Sequence, residues 1–452
     1  MTTSFVNSGN LITGATIAVS PHTVGEVVTE RTELFLESGK IESVSGVSIT
    51  VNKPTKYGGN PVFGSADWTW DRDINYCSAL KVGSTFKIWY AAVADDFSAT
   101  DDVYLCYATS EDGITWSKPN LGLVTYDGDT NNNIVLDKPC FIPGLVYNPD
   151  GEASELYVMA VGGEVTDVNK IYTSADGTTW SAGQTLTKAD GTNGHLMELL
   201  LLDNGTWRAY YHHIVGGRNV GYHQSINTDV TAAFRDNGGG LVGLDYVSAN
   251  DQEYGFGVQL HYGNYLGFGG NFNESTDQIH LDLHYSRDGV SWEEVSDQWV
   301  PLGAGGTWDD EMLLQGKSLV HHNNDWYYFY TGFGADHATT PPREARVGLA
   351  IIGYERIGSI GTSGNLVTDP IRPAADLHVN TDASGGSLKV ELLNANDDSV
   401  VDGFSQDDFD TISSDTYDTT CQWGGLGVPM GKEIKIKFIL DTTTLYSYWV
   451  RA

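Results

Sequence analysis

The sequence predicts an all-β protein, a five-bladed β-propeller followed by a C-terminal β-sandwich. Three observations support this prediction: abundant glycine, a repeated turn motif and a repeated pair of apolar runs. Glycine accounts for 53 of the 452 residues, and aromatic residues make up 11% of the chain. A composition rich in glycine and aromatic residues favours turns and strands over helices.

The turn motif Ser-x-Asp-Gly-x-Ser/Thr-Trp occurs three times and ends at Trp116, Trp180 and Trp292. Its Asp-Gly pair forms a tight turn, because glycine takes a positive φ angle that other residues resist. The intervals between the three motifs are 64 and 112 residues. Because 112 is about twice the length of one repeat, we expect a unit with a degenerate motif in the longer interval.

Each predicted unit begins with an apolar run, a short turn and an aromatic run. The first unit has these runs at 77–82 and 86–90, and the last unit has them at 317–320 and 326–330. A third strand leads into the turn motif, and a fourth can follow it. Four strands repeated five times predict a five-bladed propeller, and the regular spacing disfavours the alternative of two β-sandwiches.

These patterns divide the chain into three expected parts. Residues 1–30 form an N-terminal extension, and residues 31–365 form the propeller with a segment that wraps it. Residues 366–452 lose the unit pattern and alternate polar with apolar residues, which predicts the β-sandwich. We expect this sandwich to brace the propeller, although such domains can also bind sugars.

The charge of the chain excludes some classes of partner. It has 59 acidic and 25 basic residues, for a formal net charge of −34. Nucleic-acid binding requires a basic surface, and so does docking on an anionic membrane. No apolar run approaches the roughly 18 residues of a membrane-spanning helix, and no signal peptide is visible at the start. Compartment and oligomeric state stay open.

The cysteine pattern predicts no metal site. The four cysteines form no Cys-x-x-Cys pair and no cluster with zinc spacing. We expect buried thiols, and a bridge between Cys77 and Cys106 is the alternative. No cofactor is required by any motif in the sequence, and a structural calcium ion would be compatible with its acidic composition.

Seven stretches of the sequence carry a resemblance to known proteins: 33–36, 60–63, 86–90, 105–122, 131–135, 301–309 and 446–448. They resemble the five-bladed propeller glycoside hydrolases of families 32 and 43, the superfamily of levanases, invertases and arabinanases. The resemblance is narrowest to a family 32-like group and covers about residues 31–452. Three motifs of family 32 are absent: Trp-Met-Asn-Asp-Pro-Asn-Gly, Arg-Asp-Pro and Glu-Cys. The resemblance therefore implies the fold and hydrolysis of a glycan, but it does not transfer catalytic residues.

Hydrolysis of a glycoside requires two carboxyl groups, one an acid with a raised pKa and the other a base or nucleophile. The loops that enter the inner strands of a propeller line a central funnel, so we expect the pair among acids near these strand starts. We predict Asp73 as base or nucleophile, because Arg72 could keep it ionised. Glu311 or Glu253 is the predicted acid, with Glu198 in reserve. Any one of them could instead be a solvated surface acid.

Aromatic and polar residues near the same strand starts are expected to bind substrate, since aromatic faces stack on sugar rings. Packing between blades and local ion pairs are the alternative roles for these side chains. The expected substrate-binding residues are Trp68, Trp70, Arg72, Asp137, His195, Trp308, Asp309 and His337.

The leading functional prediction is a glycoside hydrolase that acts on an oligo- or polysaccharide. The alternative is a non-catalytic glycan-binding propeller, which the missing family 32 motifs favour. A sialidase-like enzyme ranks below both, because few arginines lie near the predicted rim. The sugar, the linkage and the stereochemical outcome stay open.

Overall fold

The computed structural model describes residues 26–28, 31–64, 70–94, 103–137, 142–162, 169–185, 196–213, 219–224, 230, 240–241, 243–244, 251–340 and 343–450. Every regular secondary-structure element in these ranges is a β-strand, so the all-β prediction is confirmed. Over the same ranges, no helix is present that could cross a membrane.

The first four strands belong to two different sheets. Strands β1 to β3 join a sheet made mostly by the C-terminal part of the chain, whereas β4 pairs with the strand at 346–353. The N-terminal segment therefore connects the two parts of the molecule. The strands are β1 (Glu26–Val28), β2 (Arg31–Glu33), β3 (Ile41–Val51) and β4 (Thr55–Lys56).

Three four-stranded antiparallel sheets follow, which we call units one, two and three. Unit one contains β5 (Asp73–Val82), β6 (Thr85–Val93), β7 (Val103–Ser110) and β8 (Ile134–Leu136). Unit two contains β9 (Ile142–Tyr147), β10 (Tyr157–Gly162), β11 (Lys170–Ser174) and β12 (Gln184–Thr185). Unit three contains β13 (Leu196–Leu201), β14 (Trp207–His213), β15 (Asn219–Gln224) and β16 (Gly240–Leu241).

Units four and five share one sheet, because Ile279 pairs in parallel with Met312. Unit four contains β17 (Gly243–Leu244), β18 (Asp251–His261), β19 (Asn264–Asn273), β20 (Gln278–Ser286) and β21 (Ser291–Val300). Unit five contains β22 (Met312–Leu314), β23 (Leu319–His322), β24 (Asp325–Phe333) and β25 (Arg346–Gly353), and β4 adds its edge. Since these two units are continuous, the count of five blades stays a prediction.

The last sheet has nine strands and is centred on β31 (Ile434–Val450), which pairs with five others. The predicted boundary at 366 falls inside β26, and β3 pairs with β26 although we expected it to wrap the propeller. The remaining strands are β26 (Gly358–Thr368), β27 (Ile371–Pro373), β28 (Leu377–Asp382), β29 (Ser387–Asn394) and β30 (Asp415–Thr420).

The repeated motif forms the turn that its sequence predicts. In the first copy, Asp112 Oδ1 accepts the amides of Ile114 at 2.8 Å and Thr115 at 2.7 Å. The turn glycine Gly113 has a φ of 72°. The motif also joins neighbouring units, which the sequence did not indicate. In the second copy, Trp89 Nε1 of unit one donates to the Gly177 carbonyl of unit two at 2.7 Å.

The first strands of the units face one another around a common axis, and side chains bond from one unit to another across it. Polar side chains of the first strands therefore lie along this axis. The bonds are Ser78 Oγ to Pro143 O (2.6 Å), Lys317 Nζ to Met197 O, Leu319 N to Gln259 Oε1 (2.8 Å) and Ser318 Oγ to Ala79 O (3.1 Å).

Candidate functional site

A cavity of about 630 Å³ lies on this axis, and we call it the axial cavity. It occupies the half of the axis where the inner strands end, and exposed Gly83 and His321 lie at its mouth. We expected a pocket at the opposite end, where those strands begin. The axial cavity is lined by Leu80, Lys81, Gly83, Leu145, Val146, Tyr147, Glu198, Leu199, Leu200, Leu201, Val258, Gln259, Leu260, Lys317, Ser318, Leu319, Val320 and His321.

Glu198 and Lys317 form a buried ion pair on the wall of the axial cavity. Glu198 Oε2 lies 3.8 Å from Lys317 Nζ, and the two side chains are 2% and 3% exposed. Glu198 Oε1 also accepts the Leu199 amide at 3.0 Å. Gly144 of β9 makes room for this carboxyl, because a Cβ atom there would lie 3.0 Å from Glu198 Oε1. The carboxyl is therefore held between two units.

Burial controls the ionisation of this pair. Burial raises the pKa of Glu198 to about 7, and the nearby Lys317 ammonium opposes that rise. Burial also lowers the pKa of Lys317, while the Glu198 carboxylate opposes that fall. A carboxyl group that titrates near neutral pH can give a proton or take one during a reaction.

Asp73 begins β5 and is 1% exposed. Its Oδ2 accepts the Arg343 amide at 2.5 Å, and its Oδ1 accepts the Ala345 amide at 3.1 Å. Burial raises the pKa of Asp73 despite these bonds. Arg72, the expected partner of Asp73, donates to Glu344 at 2.8 Å on the surface. Asp73 therefore fastens the segment before β25, and it does not line the axial cavity.

Glu253 lies in β18 of unit four and is 1% exposed. Burial raises the pKa of Glu253 well above its ordinary value, and Asp282 adds to that rise. Glu311 precedes β22, is half-buried, and accepts a hydrogen bond from Gln278 Nε2 at 3.0 Å. Glu253 and Glu311 are not among the residues that line the axial cavity, so Glu198 is the one predicted catalytic residue that lines it.

The two predicted tryptophans that the structure describes both pack against protein. Trp308 is half-buried and stacks on Tyr330, with ring centroids 6.0 Å apart. Trp70 is half-buried, and its Nε1 donates to Asn133 Oδ1 at 3.1 Å. Trp68, the third predicted tryptophan, lies outside the described residues. The contacts of Trp70 and Trp308 match the packing role that was the alternative to sugar binding.

The other predicted binding residues are dispersed. Asp309 is buried and accepts from Lys56 Nζ at 2.6 Å and from the Tyr330 hydroxyl at 3.0 Å. His337 Nε2 lies 3.1 Å from the Tyr254 hydroxyl oxygen. Asp137 is exposed. His195 lies outside the described residues. None of the predicted binding residues that the structure describes lines the axial cavity.

Lys317 is a residue of the candidate site that sequence reasoning missed. It stands in the run Met312-Leu-Leu-Gln-Gly-Lys-Ser-Leu-Val320, where it is the only charged residue. Lysine is almost never fully buried unless it is paired. A single lysine inside an apolar run was therefore the signal that could have pointed to a buried acid opposite it.

No protein-family model matches the chain, and no curated protein matches it. Solved structures match parts of it, and some are named as glycoside hydrolases. An N-acetylgalactosamine deacetylase from F. plautii is 14% identical, with 68% of this chain and 97% of that chain covered and a TM-score of 0.47.

An α-L-arabinofuranosidase from Podospora anserina is 13% identical, with 68% of this chain and 98% of that chain covered and a TM-score of 0.47. An exo-β-1,3-galactanase from Phanerochaete chrysosporium is 13% identical, with 86% and 99% covered and a TM-score of 0.38. Likeness at this level assigns neither a family nor a function.

Proposed function

We propose that the protein is a glycoside hydrolase that cleaves an oligo- or polysaccharide, with Glu198 as the general acid. The observation that supports this proposal is a buried carboxyl group, with a pKa of about 7, on the wall of the axial cavity. A general acid must keep its proton near neutral pH and then deliver it to the leaving group. Burial meets the first requirement, and the cavity provides space for a substrate.

Hydrolysis also needs a second carboxylate, roughly 5–10 Å from the acid. The candidates to test are the other predicted residues, Asp73, Glu253 and Glu311, although none of these three lines the axial cavity. A base or nucleophile has to be ionised, and burial raises the pKa of both Asp73 and Glu253. Glu311 is the more exposed of the three and is therefore the first of them to replace.

The test is a panel of oligosaccharides and aryl glycosides, assayed for binding and for release of reducing ends. With a substrate in hand, Glu198→Gln should lower turnover by roughly 10²–10⁴ while binding survives. An aryl glycoside whose leaving group needs no protonation should recover most of that loss. Equal loss on both kinds of substrate would contradict the acid role.

A matched control comes from the C-terminal sheet. Glu391 is also buried and also pairs with a lysine, with 2.9 Å between its Oε2 and Lys437 Nζ. Glu391→Gln removes a buried carboxylate that pairs with a lysine outside the axial cavity, although this lysine is 29% exposed. Turnover should be unchanged in this variant, which separates a catalytic effect from general destabilisation.

A glycan-binding protein without catalysis is the second candidate. The observation that favours it is that Glu198 is the only carboxylate among the described residues that line the axial cavity. A binding protein needs no second carboxylate. Binding of an oligosaccharide without release of reducing ends, in the unmodified protein, would decide for this function.

A further inference from the structure

A second polar cluster lies in unit four and shares no residue with the axial cavity. Here His280 Nε2 lies 3.3 Å from Asp282 Oδ1 and 3.3 Å from Asp297 Oδ1. All three atoms lie within 4.8 Å of one another. One imidazole nitrogen and two carboxylate oxygens at this spacing can share a single divalent cation.

The backbone of β21 positions Asp297, the third residue of this cluster. Strand β21 bulges over residues 297–299, where its pairing with β20 shifts. Gln298 has a positive φ of 45° and donates its amide to Asp282 Oδ1 at 2.7 Å. Lys53 Nζ donates to the Asp297 carbonyl at 2.7 Å. A β-bulge re-aims a side chain, and these bonds fix the Asp297 carboxylate beside the imidazole.

Buried polar atoms near Asp282 form a second, independent observation. Asn271 donates Nδ2 to Asp282 Oδ2 at 2.9 Å, which leaves Asn271 Oδ1 buried and without a partner among the described residues. The same is true of Glu253 Oε1 and His284 Nδ1. Asn271 is the strand partner of both Glu253 and His280, so these groups share one face. Unpaired buried atoms in a native protein point to water or an ion that completes them.

We propose that His280, Asp282 and Asp297 bind a divalent cation of the borderline class, such as Zn²⁺. Imidazole nitrogen with carboxylate oxygen suits this class, whereas Ca²⁺ and Mg²⁺ take mainly oxygen ligands. The Asp297 side chain is 56% exposed, so the cation has access from solvent and keeps positions for water. A water on the cation would supply the donor that Asn271 Oδ1 lacks. The bound cation would tie β20 to the bulge of β21.

The competing explanation is an ion pair between a charged imidazole and its two carboxylates. The C-terminal sheet provides a control for it, because His378 Nδ1 lies 2.6 Å from Asp418 Oδ1 there. That pair has one carboxylate rather than two. His378→Gln should therefore not change cation binding.

The experiment titrates the metal-free full-length protein with ZnCl2 and measures the Kd by calorimetry and the Tm by a thermal scan. We expect one tight ion per chain and a rise in Tm. Asp297→Asn, a change at an exposed side chain that should fold normally, should weaken binding at least about tenfold and abolish the rise. His280→Gln should do the same, and MgCl2 or CaCl2 should give no comparable rise.

Two results would overturn the site. One is the absence of tight zinc binding and of a Tm rise in the unmodified protein. The other is zinc binding by Asp297→Asn and His280→Gln with the affinity of the unmodified protein, which would place the ion elsewhere. Loss of binding in His378→Gln would equally contradict the assignment.

Discussion

At the scale of the residue, the surroundings of Glu198 favour its protonated form. Its pKa is about 7 in the folded protein because the carboxyl is buried, whereas an ordinary glutamate has a pKa near 4.5. The folded state therefore holds a proton that the unfolded state has released between these two pH values. Stability from this group is complete at low pH and is lost as the pH rises from about 4.5 to about 7.

Replacing Glu198 by Gln should remove this pH dependence. The free energy of unfolding of Glu198→Gln, relative to the unmodified protein, should rise by on the order of 1–3 kcal/mol between about pH 5 and pH 8. Urea unfolding across that range measures it. Leu200→Ala, which lines the same cavity without a titratable group, should run parallel to the unmodified protein. A pH profile of Glu198→Gln that also runs parallel would contradict the raised pKa.

The turn motif acts at the scale of the element, because each copy both closes a hairpin and contacts the unit before it in the ring. A Cβ on Gly113 of unit one would lie 3.1 Å from Tyr327 of unit five. In unit four, the Gly289 carbonyl accepts the Tyr210 hydroxyl of unit three at 2.9 Å. Only a residue without a side chain fits this approach, so the glycine serves packing as well as turn geometry.

Asp112→Ala should destabilise the protein by about 1–2 kcal/mol, because the turn amides of Ile114 and Thr115 lose their acceptor. Asp112→Asn keeps an acceptor oxygen and should cost less. The hydrogen bond from Thr115 is the main cause that lowers the pKa of Asp112 to about 2. The difference between the unmodified protein and Asp112→Ala should therefore shrink as the pH falls from about 4 towards 2. Urea unfolding measures both the loss of stability in Asp112→Ala and its dependence on pH. Equal stability of Asp112→Ala and the unmodified protein at neutral pH would argue against the turn role.

At the scale of the whole molecule, the N-terminal segment belongs to two cores. Leu34 and Leu36 are buried with residues of units four and five. Phe35, between them, is buried with the C-terminal sheet. The backbone at Phe35 has a positive φ of 53°, so the chain is not extended there. The three consecutive side chains nevertheless enter two different cores, so this single segment fastens both bodies. Strand β3 then pairs with β26.

Deleting residues 358–452 should therefore prevent the remainder from folding. It removes the partner of β3 and exposes Phe35 together with the rest of its core. We expect the shortened chain to lack a cooperative thermal transition, and the intact chain to unfold in one transition by calorimetry. A stable shortened chain, or two separate transitions in the intact one, would show that the propeller stands alone.

The all-β fold and the turns followed from the sequence because both depend on short-range patterns that repeat. The sequence did not predict the direction in which the candidate catalytic side chains point. Pairing in the inner strands shifts between Ile74 and Cys77, between Leu196 and Glu198, and between Glu253 and Gly255. Each shift of one residue reverses which side chains face the axis. No composition or spacing marks these bulges, so equal depth along the strands did not predict which of these carboxyl groups line the axial cavity.

The burial of Lys317 could not be predicted from the average behaviour of lysine. An isolated lysine is usually at the surface. It lies inside because Glu198 approaches from another unit, more than a hundred residues away in the chain. Such pairs depend on tertiary contacts that local patterns do not encode.

The short strand β4 has a consequence for the order in which the protein can be made. Its residues Thr55 and Lys56 pair with Ile351 and Ala350, about 295 residues later. At a synthesis rate of about 5–20 residues per second, β4 leaves the ribosome on the order of 15–60 s before its partner exists. During that interval unit five has not been synthesised, and the ring of units cannot close. The nascent chain must keep its early strands from pairing with neighbouring chains until the last part of the circle has been translated.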